Sequence, residues 1–121
     1  MLSSDNAKLR NGDEFPGVTR VLRTVPYENS FFFYKMLDYY LDARARNLEE
    51  FLEQLKTIDA QSIAFHVSRW DFGNWFMTTL GDATLARTIS NFKDSTSDGE
   101  ELRSKILNVV QSRLVRLRKF T

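Results

Sequence analysis

The sequence predicts an all-α fold: a single compact domain of about five or six helices, with short, steeply packed central helices and a long C-terminal helix. Its 121 residues fit one domain, and at 42% hydrophobic they can bury a core without metals or disulfides. From residue 48 onward, apolar residues recur at helical spacing, and an aspartate or asparagine precedes most of these stretches. We therefore expect a helical domain over residues 27–121, preceded by a partly ordered N-terminal arm over residues 1–26.

The predicted arm is interrupted by residues that break helices, at Asn11-Gly12, Pro16-Gly17 and Pro26. We expect partial order at best before Phe15, followed by one short helix or an extended segment docked on the core. The apolar residues available for that docked piece are Val18, Val21, Leu22 and Val25.

The segment 31–40 reads FFFYKMLDYY and holds six aromatic residues in ten positions. Aromatic richness suits a strand, yet four of its apolar residues also recur at i, i+3, i+4 and i+7, which favours a helix. These four are Phe33, Met36, Leu37 and Tyr40. We favour the helix and expect the aromatic side chains to fill the core rather than to stack a ligand.

Helix starts are well marked in the rest of the chain. Asn47 with Glu50 makes a capping-box pattern ahead of a helix from about Leu48 to Thr57. Asp59, Asp71 and Asp82 each precede a short apolar-periodic stretch, so we expect three short helices capped by these residues. Gly81 lies where a left-handed residue ends the second of them.

A polar loop over residues 93–100 leads to a helix of about twenty residues, capped by Asp98. From residue 100 onward there are six basic and two acidic residues, so this helix is strongly basic although the whole chain has a net charge of only +1. Basic side chains at a helix end complement the helix dipole, but they could also bind a partner. The candidate interaction surface is Arg113, Arg116, Arg118 and Lys119.

Several functional classes are disfavoured. The absence of cysteine excludes thiol chemistry and fits a reducing cytoplasm. With one histidine and no calcium-loop or zinc-protease pattern, we expect no metal and no cofactor. Phosphate-binding glycine loops and nucleophile elbows are also absent. No run is apolar enough for a membrane span, and the small net charge disfavours nucleic acid as a partner. We therefore do not expect an enzyme.

The richest stretch is residues 59–82, which holds both tryptophans and the single histidine. The chain resembles an uncharacterised prokaryotic, archaeal and bacterial, helical domain family of unknown function, with Phe-His, then Arg-x-Asp-Phe and Asn-Trp, then Leu-Gly-Asp and Leu-Ala. The matching positions are Phe65, His66, Arg69, Asp71, Phe72, Asn74, Trp75, Leu80, Gly81, Asp82, Leu85 and Ala86. The resemblance implies a domain found alone or appended to larger proteins, some of them sugar-related enzymes, with no assigned reaction and no catalytic residue to carry over.

Two interpretations of the polar residues in this stretch stay open. As a ligand site they would use His66 and Arg69, three residues apart on one helix face, with Asp71 orienting either side chain. As structural ties, Asp71 would cap a helix and His66 would bond a buried backbone carbonyl at a sharp turn. The full candidate set is His66, Arg69, Asp71, Asn74 and Trp75.

Taken together, these patterns favour a small cytoplasmic, non-catalytic interaction or regulatory module that acts through an unknown protein partner or through self-association. The alternative is a domain that binds a small ligand, a sugar or a phosphorylated metabolite, near His66, Arg69 and Trp75. The two hypotheses differ in what they require: an exposed apolar patch for the first, and a concave pocket with unpaired polar atoms for the second.

Overall fold

A computed structural model describes residues 17–121 of the chain. The prediction of partial order before Phe15 lies outside the described residues. The described part contains six α-helices and one antiparallel hairpin, with a 3₁₀ turn ahead of the hairpin and a π-helix that continues α4. The elements are α1 (17–22), the 3₁₀ turn Tyr27–Asn29, β1 (Phe31–Met36), β2 (Tyr39–Ala45), α2 (Leu48–Thr57), α3 (Ala60–Ser68), α4 (Asp71–Asn74), the π-helix Trp75–Leu80, α5 (Ala83–Ser90) and α6 (Gly99–Arg118).

The all-α prediction is wrong, because residues 31–45 form a β-hairpin rather than a helix. The helical spacing in the segment 31–40 is coincidental: of its four members only Phe33 is buried. The buried positions are instead Phe31 and Phe33, two residues apart, as the alternation of a strand requires. A turn at Leu37 and Asp38 then reverses the chain, so the aromatic content was the better indicator.

Two aspartates shape this hairpin. Asp38 lies in the turn between β1 and β2 with a φ of 63°, and Asp42 has a φ of 56° inside β2. The register shifts between Phe32 and Tyr34 on β1, opposite the stretch that contains Asp42, which marks a β-bulge. Asparagine and aspartate tolerate the left-handed region better than other residues with a side chain, so these positions suit the irregular hairpin.

The core lies between the inner face of the hairpin and the helices. Phe33 packs there against Phe51 and Phe72, and Phe51 also contacts Phe76, with ring centroids 4.9 to 6.1 Å apart. All four rings are fully buried. Helix α6 closes the core with buried apolar residues at helical spacing: Leu102, Ile106, Val110, Leu114 and Leu117.

Most predicted caps are confirmed. The side chains of Asn47, Asp59, Asp82 and Asp98 each accept a hydrogen bond from a backbone N–H in the first turn of the following helix. The prediction for Asp71 is wrong, since its side chain makes no capping bond to α4 and the preceding Trp70 is the N-cap, with a φ of 62°.

Helix α1 and the residues that follow it pack on the domain, since Val18, Val21 and Val25 are buried. Part of the predicted arm is therefore docked on the core. Arg20 and Arg23 donate to the backbone carbonyls of Thr78 and Thr79, at 3.2 and 2.7 Å. These carbonyls belong to the last turn of the π-helix, where backbone acceptors lack partners within the helix. The arm over residues 1–16 stays a prediction.

Gly81 ends the π-helix in the left-handed conformation, with a φ of 83°, as predicted. A Cβ atom at this position would lie 2.9 Å from the guanidinium of Arg20. Glycine therefore satisfies both the backbone conformation and the close approach of α1. No helix within residues 17–121 is long and apolar enough to cross a membrane.

Candidate functional site

The hairpin, α3 and the α4–π-helix segment surround a pocket of about 460 Å³, which we call the hairpin pocket. Its size is within the range of small-molecule sites. One wall comes from β1 and the turn, the other from the helices. The lining residues are Ser30, Phe31, Phe32, Tyr34, Leu37, Asp38, Phe65, His66, Arg69, Asp71, Asn74, Trp75 and Thr79.

All five residues of the predicted candidate set line this pocket. Helix α3 supplies His66, and Arg69 follows as its C-cap. Asp71 and Asn74 are the first and last residues of α4, and Trp75 begins the π-helix. The sharp junction at Trp70 turns α4 relative to α3, and the structure places the polar groups of both helices in one cavity.

His66 is buried, with 3% of its surface exposed. Its Nε2 accepts a hydrogen bond from the backbone N–H of Tyr34 at 2.9 Å, so the proton of the neutral ring belongs on Nδ1. Nδ1 lies 2.9 Å from Oδ2 of Asp71 and donates to it. Burial lowers the pKa of His66, although Asp71 acts in the opposite direction. The ring therefore ties α3 to β1 as a neutral side chain.

The contact that His66 makes differs from the structural tie that the sequence suggested. The ring bonds a backbone N–H of β1, not a carbonyl at the helix turn. Tyr34 N–H needs a partner there because β1 has a strand on one side only, in the sheet that β1 and β2 form. The Nε2 of His66 supplies the acceptor that a neighbouring strand would otherwise provide.

Asp71 also holds Arg69. The Nε of Arg69 donates to Oδ2 of Asp71 at 3.1 Å, and its guanidinium lies over the ring of Phe65, 5.0 Å from the centroid. The side chain of Arg69 is 49% exposed, and its Nη atoms make no hydrogen bond to any of residues 17–121. A chain of contacts thus runs from Tyr34 through His66 and Asp71 to an arginine whose outer donors are free within the described structure.

Trp75 and Asn74 contribute differently to the pocket. Trp75 is only 6% exposed, and its indole Nε1 donates to the carbonyl of Asn29 at 2.8 Å. The ring therefore belongs to the core as well as to the pocket wall. Asn74 is exposed, and its amide forms no hydrogen bond with the part of the chain that the structure describes. Asn74 therefore adds an available donor and acceptor at the pocket surface.

Ser30 and Asp38 also line the pocket, and sequence reasoning missed both. Ser30 is only 8% exposed, and its Oγ has no hydrogen-bond partner among residues 17–121. Asp38 sits in the hairpin turn and forms no ion pair within the same residues. No local pattern marked Ser30; recognising 31–45 as a hairpin would have placed both residues near α3.

The four residues of the predicted basic surface at the end of α6 lie in different environments. Arg113 donates to both carboxylate oxygens of Asp82, at 2.8 and 3.0 Å, and Asp82 has only 1% of its side chain exposed. Arg118 pairs with Glu49 on α2. Arg116 and Lys119 are exposed. Two of the four side chains therefore bind carboxylates within the domain.

The described residues contain no cluster of three or more histidine, aspartate or glutamate side chains suited to a metal ion. The pocket instead combines aromatic walls, a guanidinium, two carboxylates, an amide and three residues that carry a hydroxyl. Such a lining can hold a small organic molecule by stacking and by a few directed hydrogen bonds.

Comparison with curated proteins and with solved structures finds no match to this chain. Residues 28–121 match a family described as "Family of unknown function (DUF5752)". The matched range includes the hairpin, the pocket and helices α2 to α6. Because this range covers most of the sequence, the chain belongs to the DUF5752 family of unknown function.

Proposed function

We propose that the chain is a small, non-catalytic domain that binds a small organic ligand in the hairpin pocket. The observation that carries the proposal is the composition of that pocket: all five residues singled out from the sequence line it, between aromatic walls. Pockets that hold small molecules combine such apolar surface with a few convergent polar groups.

The available donors support the same proposal. The Nη atoms of Arg69 and the amide of Asn74 are not used by residues 17–121, although neighbouring polar groups in the pocket are paired. The Arg69 guanidinium is already oriented by Asp71 and Phe65, so a ligand would meet it with little further loss of conformational entropy.

The environment of His66 supports a non-catalytic role. A general base or acid needs a ring nitrogen within reach of the substrate. Nε2 of His66 accepts from Tyr34 and Nδ1 contacts Asp71, so both nitrogens have partners inside the protein. We therefore assign His66 to positioning Asp71, not to proton transfer.

A fragment screen by ¹H–¹⁵N NMR on the folded protein tests ligand binding. We expect at least one fragment family to give saturable shifts at the indole N–H of Trp75 and at Arg69. Asn74→Phe, which places a large ring at the pocket surface, should abolish those shifts. Asn108→Phe makes the same change at an exposed position of α6, away from the pocket, and should leave them intact.

Fragments that bind only outside the pocket, or that bind Asn74→Phe as well as the original chain, would contradict the proposal. Circular dichroism and thermal unfolding of both variants establish that each is folded before the screen. A blocked variant that unfolds is replaced by Thr79→Trp, which changes another pocket-lining residue.

The second candidate is the interaction module favoured by the sequence, acting through self-association at the hairpin. Among the residues that the structure describes, large exposed apolar side chains gather on the hairpin and the turn before it, and Leu37 is 68% exposed. The members are Tyr27, Met36, Leu37, Tyr39 and Tyr40. A patch of this kind is typical of a contact surface.

Size-exclusion chromatography with light scattering tests this second candidate. Self-association predicts a mass above the 14.1 kDa of one chain, and a return to that mass in the double variant Leu37→Asp, Tyr39→Asp. Val115→Asp changes a similarly exposed apolar residue on α6 and should leave the assembly unchanged. A monomer at all concentrations would contradict self-association.

We place this activity in the cytoplasm of a prokaryote. The first part rests on the absence of cysteine, which is usual in a reducing compartment. The second rests on the resemblance of residues 48–86 to a prokaryotic family. Fractionation of the cells that make the protein tests the location: recovery in an extracytoplasmic fraction would contradict it.

A further inference from the structure

We propose that the hairpin pocket selects a ligand with a single carboxylate group attached to a compact apolar or aromatic body, and that Arg69 binds the carboxylate. This inference rests on the proposed function and names the class of ligand. It starts from the guanidinium, whose Nε is bonded to Asp71 while both Nη atoms are free of partners within residues 17–121.

The orientation of Arg69 suits a planar anion. The Nε bond to Asp71 and the stacking on Phe65 fix two sides of the guanidinium. The remaining N–H groups of an arginine point outward in a planar fork that matches the two oxygens of a carboxylate. Because Asp71 is itself held by the buried His66, the fork is oriented before the ligand arrives.

The charge of the pocket favours one negative charge on the ligand over two. Asp38 and Asp71 line the same cavity as Arg69, so it contains two carboxylates and one guanidinium, with His66 neutral. The fixed charges of the cavity therefore sum to −1, and their net repulsion of an anion grows in proportion to the negative charge of that anion. A monoanionic carboxylate can make the bidentate contact with Arg69 and meets about half of the net repulsion that a dianionic phosphate would meet.

The rest of the lining specifies the body of the ligand. Phe65, Tyr34 and Trp75 supply aromatic surface, which stacks best on a flat or apolar group. Asn74 also lines the pocket, and its exposed amide has no partner among the described residues. The ligand should therefore carry a hydrogen-bonding group as well as its carboxylate.

NMR titrations with matched probes test the class of ligand. The probes are benzoate, phenylacetate and 4-hydroxyphenylacetate, each compared with its uncharged amide, and phenyl phosphate as the dianion. We expect at least one acid to shift the Nε–H of Arg69 and the indole N–H of Trp75 saturably, and to bind at least about tenfold more tightly than its amide.

Variants assign the effect to Arg69. Arg69→Gln should remove the advantage of the acid over its amide, because glutamine keeps polarity but lacks the charged fork. Arg116→Gln removes another exposed arginine, outside the pocket, and should keep the advantage. Equal acid binding in Arg69→Gln and in the original chain would overturn the role of Arg69.

The remaining outcomes separate this inference from the proposed function. Amides that shift the pocket resonances as tightly as every acid would overturn the carboxylate class but leave ligand binding intact. Phenyl phosphate binding more tightly than the acids through Arg69 would overturn the preference for a single charge. If no acid or amide reaches the pocket, the carboxylate class is overturned, and the fragment screen alone decides whether the pocket binds any ligand.

Discussion

Two helix junctions of this domain begin with the same sequence signal and end with different structures. At the first, Asp71 follows the left-handed Trp70; at the second, Asp82 follows the left-handed Gly81. Asp82 caps α5, is almost fully buried and binds Arg113 from α6 through two hydrogen bonds. Asp71 caps nothing and lies on a pocket, where it holds His66 and the half-exposed Arg69.

The difference separates an arginine that ties helices together from one that is available to a ligand. The guanidinium of Arg113 donates through its Nε and one Nη to a buried carboxylate. Within residues 17–121, Arg69 donates only through its Nε, to a partly exposed carboxylate that also binds a histidine. The Asp82 junction is closed by its arginine, whereas the Asp71 junction stays open toward a cavity.

The largest expected effect on stability comes from removing the buried ring of Trp75, near the open junction. Trp75→Ala should lower the free energy of unfolding by about 3 to 5 kcal/mol, because the ring is buried among Phe31, Phe51 and Phe76. Urea denaturation measures it, with the exposed Tyr39→Ala as the control at about 0.5 kcal/mol or less. A loss under about 1 kcal/mol would mean that Trp75 is not part of the core.

The two aspartates should then differ in the same assay. Asp82→Ala removes a cap and leaves Arg113 without its buried partner, so we expect a loss of about 3 kcal/mol. Asp71→Ala loses hydrogen bonds at a partly exposed site and should cost about 1 to 2 kcal/mol. Equal losses, or the reverse order, would break the distinction between the closed and the open junction.

A smaller, pH-dependent effect should report the neutral state of His66. Because burial lowers the pKa of His66 in the folded protein, the unfolded chain takes up this proton first as the pH falls. Unfolding free energy should therefore be at its full value above the ordinary histidine pKa of about 6.5, and decline below it until the lowered folded pKa is reached.

Glutamine cannot titrate in this range but can still accept from Tyr34 and donate to Asp71. In His66→Gln the pH dependence between about 7 and 5 should accordingly flatten, while the acid-induced loss at lower pH, which comes from carboxylates, should remain. Parallel declines of both proteins between pH 7 and 5 would show that His66 is not the group responsible.

The helices were predictable because their signals are local. The stretch Leu48–Thr57, the caps Asn47, Asp59 and Asp98, and the left-handed Gly81 all follow from residues within one turn of each other. The hairpin was not predictable in the same way, since the aromatic content of residues 31–40 suits a strand whereas the spacing of their apolar residues suits a helix. Packing of Phe31 and Phe33 on the helices decides between them, and these contacts are distant in sequence.

The candidate site was predictable in its helical half only. His66, Arg69, Asp71, Asn74 and Trp75 could be grouped from their spacing on consecutive helices, and they do share one pocket. The opposite wall could not be predicted, because a helix over residues 31–40 leaves no hairpin to form it. The separate roles of Asp71 and Asp82 were equally hidden, because the partner of Asp82 is 31 positions away in the sequence.

The central claim is that Arg69 is oriented at the open junction but does not stabilise the fold. Urea unfolding of Arg69→Gln, compared with that of Arg113→Gln, tests this claim most directly. We predict a change within about 0.5 kcal/mol for Arg69→Gln, as for other exposed ion pairs, and a loss of about 3 kcal/mol for Arg113→Gln, which leaves the buried Asp82 unpaired. A loss at Arg69 as large as that at Arg113 would show that both arginines are structural and would contradict the account.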